Sequence, residues 1–146
     1  MYDPANFRLD EAAALITGAG AGIGRAIAET FAAAGAAVTV TDRDATAANT
    51  VAEAITTAGG RSVGAACDVT READLEAAVL TAVDAFGKLT ILVNNAGGGG
   101  PKPFDMPMSD MRLAFELNVF SVFRLCQLAA PHMHSAGGGV ILNISS

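Results

Sequence analysis

The sequence predicts an α/β fold built on a doubly wound parallel sheet of strand order 3-2-1-4-5. Three observations carry that expectation. Short apolar runs of strand length alternate with longer stretches of helical period. The first of these runs feeds directly into a glycine-rich turn and then a helix. An acidic residue closes the second run, where open sheets of this kind meet their ligands.

The elements follow in order along the 146 residues. Strands are expected at about 12–17 (AAALIT), 36–41 (AAVTVT), 61–66 (RSVGAA), 89–94 (LTILVN) and 138–145 (GGVILNIS). The last of them, with VILNI, has the continuous apolar character of a strand covered on both faces. A first helix at about 22–34 sets Ile23, Ile27 and Phe31 on one face and is stopped by Gly35. Alanine fills much of its remainder, which lets helix and sheet approach closely. A second helix at about 45–58 ends in AGG, and a third at about 71–86 stops before Gly87. The long fourth segment, about 108–135, carries Met111, Phe115, Leu117, Phe120, Phe123 and Leu128. Its apolar surface is too wide for one sheet contact, so part of it should face another subunit or a further part of the fold. The glycine-rich insert at 97–104 follows the fourth strand, at the carboxyl edge of the sheet.

Composition narrows the function classes. Hydrophobic residues make up 51% and charged ones 16%, enough to build a core and too apolar for disorder. Nine basic against fifteen acidic residues give a net charge of -6. With no Lys/Arg run, nucleic acid and anionic membrane surfaces are excluded as expected partners. The start, MYDPANFRLD, has no apolar leader, and no later stretch is expected to reach a membrane span, so a soluble cytoplasmic domain covering 1–146 is expected. Cys67 and Cys126 sit in apolar runs far apart and read as buried free thiols. His132 and His134 fall near the end of the long helix as surface residues. Without a carboxylate or thiolate set they make no metal site.

ITGAGAGIGRAIA, 16–28, is the most informative stretch. Gly18, Gly20, Gly22 and Gly24 lie between a strand and a helix. Glycines here permit a tight turn, let a pyrophosphate approach the backbone, and allow helix to pack on strand. The helix N-terminus then offers free N–H groups and a positive dipole end. The spacing is T-G-x-x-x-G-x-G, with Ile23 or Arg25 near where a third glycine of G-x-G-x-x-G would stand. No Lys-Ser/Thr pair follows, which excludes a P-loop. Asp42, after the second strand, can accept hydrogen bonds from the adenosine ribose and repel a 2′-phosphate, which favours NAD over NADP. Arg43 beside it would either pair with such a phosphate or stack on adenine.

TGAGAGIG at 17–24, Asp42, CDV at 67–69, NNAG at 94–97, Asn118 in ELNVFS and the terminal ISS together resemble the short-chain dehydrogenase/reductase family. The fold this implies is Rossmann-type. The resemblance assigns the pyrophosphate to Gly18, Gly22 and Gly24 with Ile23, the ribose to Asp42 and Arg43, and the adenine ring to Asp68 and Val69. Asn95, Ala96 and Gly97 would close the nucleotide cleft, while Asn94 would tie strands together. Asn118 would bend its helix and hold a water of a proton relay. Ser146, with Ser145 as the competing register, would hydrogen-bond the reacting hydroxyl or carbonyl. The stretch 94–121, and RLD before the first strand, resemble bacterial family members that act with NAD on the 7α-hydroxyl of steroids or bile acids. Hydride transfer between NAD and a secondary alcohol or ketone is therefore implied, in a homo-oligomeric parent protein.

The family's Tyr-x-x-x-Lys pair is missing from these residues, whose only tyrosine is Tyr2. Ser146 and Asn118 can orient a substrate but cannot take its proton. The expectation is the nucleotide-binding N-terminal portion of a longer dehydrogenase, inactive alone and exposing an apolar fifth strand at the sheet edge. The alternatives are a non-catalytic NAD-binding protein or pseudo-subunit, and a related reductase acting on a sugar or acyl-carrier ketone.

Overall fold

The computed structural model describes residues 7–99 and 103–145. Its elements are β1 (Ala13–Ile16), α1 (Gly22–Ala33), β2 (Ala37–Asp42), α2 (Ala45–Thr57), β3 (Arg61–Ala66), α3 (Glu72–Phe86) and β4 (Ile91–Asn94). There follow α4 (Met108–Phe115), a π-helical turn (Glu116–Phe120), α5 (Ser121–Ser135) and β5 (Val140–Asn143). The sheet order is β3-β2-β1-β4-β5 with every pairing parallel, as the sequence predicts.

Period-two alternation sorts the strand side chains onto two faces. Ala14, Ile16, Val38 and Val40 meet Ala48, Val51 and Ile55 of α2 on one side. Leu15 and Leu92 meet Leu75 and Val79 of α3 and Leu125 and Met133 of α5 on the other. Ala48 and Ala52 of α2 are buried, and their small side chains let α2 lie close to β2 and β3. Asp44 starts α2 by accepting from the N–H groups of Thr46 (2.9 Å) and Ala47 (3.2 Å). Gly87 ends α3 at φ 74°, a left-handed position that suits glycine.

Two expectations need correction. Ile23 does not share the buried face of α1: it is 65% exposed, and Gly24 and Ala28 are the buried residues there. Ile23 lies in the first turn, while Ile27 and Phe31 further along pack against the core. The long fourth segment departs from α-helical geometry at Asn118, where the resemblance implies a bend: Glu116–Phe120 widen into a π turn. The helical run Met108–Ser135 is, by length and composition, able to span a membrane, contrary to the sequence expectation. In this fold its inner side is committed elsewhere: Leu125, Ala129 and Met133 enter the core, and Arg124 pairs with Glu72 and Glu76 of α3.

The outer side of that run stays in water, with Leu113, Phe115, Phe120 and Phe123 all exposed. β5 is likewise exposed along its length. Cys67 is buried, Cys126 half-buried, and both are free thiols.

Candidate functional site

The site is built where β1, β2 and β4 end, from a loop that is pinned on both sides. Thr17 closes β1 and is the hub. Its hydroxyl accepts from the backbone N–H of Asn95 (3.1 Å) and of Ala96 (3.0 Å). The Asn95 amide donates back to the carbonyls of Thr17 (2.9 Å) and Gly18 (3.0 Å). On the other side Ala19 N–H reaches the Thr41 carbonyl at 2.8 Å, and Gly20 N–H reaches Asp42 Oδ2 at 3.0 Å. The glycine loop is thus tied to the strands on either flank before any ligand arrives.

The glycines have separate reasons. Gly18 and Gly22 sit at φ 61° and 56°, where a side chain is strained. Gly24 is a packing glycine, since a Cβ would overlap the Gly18 carbonyl and the Asn95 amide. A Cβ on Gly22 would meet nothing within 4 Å, so the space before it is open. The first turn of α1 has no side-chain cap and no acidic residue. Its orphan N–H groups and positive dipole end face that space, a cradle an anionic pyrophosphate fits.

A cleft of about 550 Å³ opens beside the loop. Of the residues the sequence singles out, Gly18, Asp42, Arg43, Asp68, Val69, Asn95, Ala96 and Gly97 line it together. Gly22, Ile23 and Gly24 are not in its wall and belong to the helix turn next to it. Asp42 ends β2 with Oδ2 on Gly20 N–H and Oδ1 accepting from Asp44 N–H (3.0 Å), so its orientation is fixed by backbone donors. The Asp68 carboxylate accepts from the Thr70 hydroxyl (2.7 Å) and backbone N–H (3.0 Å). The Thr70 hydroxyl first, then its N–H, hold the Asp68 carboxyl below the usual range, with Arg71 and Arg43 adding to the effect. Cys67, at the end of β3, has its thiol pushed up to about 12, first by burial and then by Asp74, Asp68 and Asp42. It remains a neutral thiol under the acids.

Asn118 is exposed, and its side chain is held by the cleft's loop. Its Oδ1 accepts from Gly98 N–H (3.2 Å), while its Nδ2 donates to the carbonyls of Gly98 (3.0 Å) and Ala114 (2.9 Å). The π turn and the loop after β4 are joined through this one side chain. Asn94 ties strands as expected: its Nδ2 donates to Asn143 Oδ1 at 2.8 Å across the β4–β5 pair. Ser145 is exposed, and Ser146 lies outside the described residues.

The sequence assigned no site role to Thr17, Cys67, Thr70, Gly98, Gly99, Leu113 or Leu117. All but Thr17 line the cleft, and Thr17 organises it. The threonine was visible as the first letter of the glycine motif. The leucines carried no signal, because they reach the cleft only through tertiary packing.

Residues 12–146 match the family model described as short chain dehydrogenase. Over all 146 residues the chain is 58% identical to the 7alpha-hydroxysteroid dehydrogenase of Escherichia coli strain K12, covering 57% of that protein. It is 37% identical to the D-threitol dehydrogenase of Mycolicibacterium smegmatis, covering 97% of this chain and 55% of the relative. A solved 7 alpha-hydroxysteroid dehydrogenase, complexed with NADH and 7-oxo glycochenodeoxycholic acid, superposes with a TM-score of 0.95 at 58% identity, covering 100% of this chain and 57% of that one. The chain therefore spans little more than half the length of the curated relatives it matches.

Proposed function

The chain belongs to the short chain dehydrogenase family, and on that premise we propose that its protein is an NAD-dependent oxidoreductase acting on the 7α-hydroxyl of a steroid or bile acid. The coarser chemistry is the interconversion of a secondary alcohol and a ketone. The observation that carries the reading is the Asp42 carboxylate, fixed by backbone donors at the rim of the cleft and facing the glycine loop. The 58% identity over the whole chain to a 7alpha-hydroxysteroid dehydrogenase supports the substrate.

When bound, the nicotinamide supplies the hydride acceptor or donor. The residues of this chain bind and orient. Gly18, Gly22 and Gly24, with Ile23 in the same turn, would admit the pyrophosphate to the uncapped N–H groups of α1. Asp42 would accept from the ribose hydroxyls, with Arg43 beside it, and would repel a 2′-phosphate. Asp68 and Val69 would flank the adenine, Asp68 as an ionised acceptor. Asn95, Ala96 and Gly97 would hold the wall opposite, and Asn118 would fix that wall to the helix. Ser146 would orient the substrate oxygen. A Tyr-x-x-x-Lys pair is missing from these 146 residues, so this stretch alone is expected to bind and not to turn over. A positioned acid/base is worth about 10²- to 10⁴-fold. The exposed Phe115, Phe120 and Phe123 support a self-associating parent protein.

The test is turnover by the intact protein with NAD and a bile acid bearing a 7α- or a 7β-hydroxyl. NADH formation from the 7α epimer alone is expected. Equal turnover of both epimers would remove the 7α assignment, turnover of simple secondary alcohols but of neither bile acid would remove the steroid, and turnover of no secondary alcohol would remove the enzyme.

A further inference from the structure

We propose that Gly20 is a specificity-determining residue that sets the preference for NAD over NADP indirectly, by leaving room for the Asp42 carboxylate. The inference rests on the NAD reading above. Gly20 occupies one of the open positions of T-G-x-x-x-G-x-G, and nothing in its backbone demands glycine: its φ lies outside the left-handed region that Gly18 and Gly22 occupy. Any L residue can adopt its conformation.

Space is what excludes a side chain. A Cβ at Gly20 would stand 2.9 Å from Asp42 Oδ2, 3.0 Å from Asp42 Cγ and 2.7 Å from Ala47 Cβ. Ala47 lies in the first turn of α2, whose start is fixed by the Asp44 cap. The contact on that side is with a methyl that cannot rotate away. Turning the carboxylate relieves the Asp42 contacts, and relieving the 2.7 Å contact with Ala47 takes a shift of the Gly20 backbone away from α2; both movements break the Gly20 N–H bond to Oδ2. The displaced acid keeps its tether to Asp44 N–H but leaves the orientation in which it faces the glycine loop. Gly20 is therefore a positioning residue for Asp42, and its missing Cβ and its N–H serve the same carboxylate.

A structural role and a selective one separate in the measurement. Loosening the loop weakens both dinucleotides alike, because the pyrophosphate is common to them. Displacing Asp42 weakens NADH and spares NADPH, because only the ribose contact and the 2′-phosphate repulsion are lost. Binding of NADH and NADPH to the intact protein is compared by fluorescence titration for wild type, Gly20→Ala, Asp42→Ala and the double variant, with thermal melting of each without nucleotide. Gly20→Ala is expected to lower the NADH/NADPH affinity ratio about tenfold, the scale of one lost charge-assisted hydrogen bond. In the Asp42→Ala background it is expected to add nothing further to the ratio, since the two substitutions act on one group. If Gly20→Ala fails to fold, Gly20→Ala/Ala47→Gly removes the methyl contact and is expected to show the same loss.

An unchanged ratio in the folded variant, or equal weakening of both nucleotides, overturns the proposal while leaving the NAD assignment standing. A wild type that binds neither nucleotide, or an Asp42→Ala ratio equal to that of wild type, removes the NAD reading itself.

Discussion

β2 and β5 are parallel strands of one sheet, both apolar in sequence, and they end in opposite circumstances. Val38 and Val40 of β2 are fully buried, with α2 over one face, β1 on one edge and β3 on the other. Val140, Ile141 and Leu142 of β5 are 55%, 37% and 41% exposed, and only β4 pairs with them. The carboxyl end of β2 delivers a carboxylate already fixed by two backbone donors. That of β5 leads to Ser145, which is exposed. An apolar run thus specifies a strand, whereas covering it takes partners from elsewhere in the fold. The half of the sheet around β1 and β2 has those partners within these residues, and its binding groups are in place.

The largest expected effect of that asymmetry is on the 146-residue polypeptide taken by itself. Each large apolar side chain left in water forgoes about 1.5–3 kcal/mol, against a usual domain stability of about 5–15 kcal/mol. The polypeptide should self-associate or lose fixed packing. Sedimentation velocity over a concentration series should show mass rising with concentration, and Phe123→Glu with Ile141→Lys should reduce it. A monomer with a sharp, reversible melt would break the comparison.

Single truncations sharpen it. Leu15→Ala in β1 empties a fully buried position and should cost about 2–5 kcal/mol. Leu142→Ala in β5, already 41% exposed, should cost less than half as much in the same polypeptide. Denaturation midpoints at low protein concentration compare the two, and equal costs would show that β5 is covered in solution.

The layout of the first half was legible because its signals are local. Glycines, an acid after a strand and apolar runs each act over a few residues, so the strands, Asp42 and the glycine loop could be read directly, and the strand order followed from the doubly wound class. What escaped depends on distant contacts. A bend at Asn118 was implied by the resemblance, but its side chain's partner, Gly98, lies twenty residues earlier and carried no signal. Ile23 keeps the helical spacing of Ile27 and Phe31, yet is exposed in the first turn. Thr17 looked like a strand residue and is a hydrogen-bond hub because β4 ends beside it.

A smaller effect belongs to Cys67. Its thiol titrates near 12 in the fold, against 9.0 for the free group. Because the folded pKa is raised, the stability it contributes is complete below pH 9.0 and is lost as pH climbs toward 12. Cys67→Ala should therefore flatten the fall of stability with pH across that window, because the variant has no thiol to ionise on unfolding. At neutral pH, alkylation of the native protein should leave Cys67 unlabelled while Cys126, half-buried, is modified first. Rapid labelling of Cys67 would mean that the floor of the cleft opens.

The β1–β2 half holds a preformed cleft, and the proposed selection of NAD rests on Asp42 at its rim. Titration calorimetry of the intact protein with NAD and with NADP tests it most directly. NAD is expected to bind about tenfold or more tightly, the scale of a charged hydrogen bond gained and a phosphate repelled. Equal affinity, or tighter binding of NADP, would contradict the account and give the ribose site to Arg43.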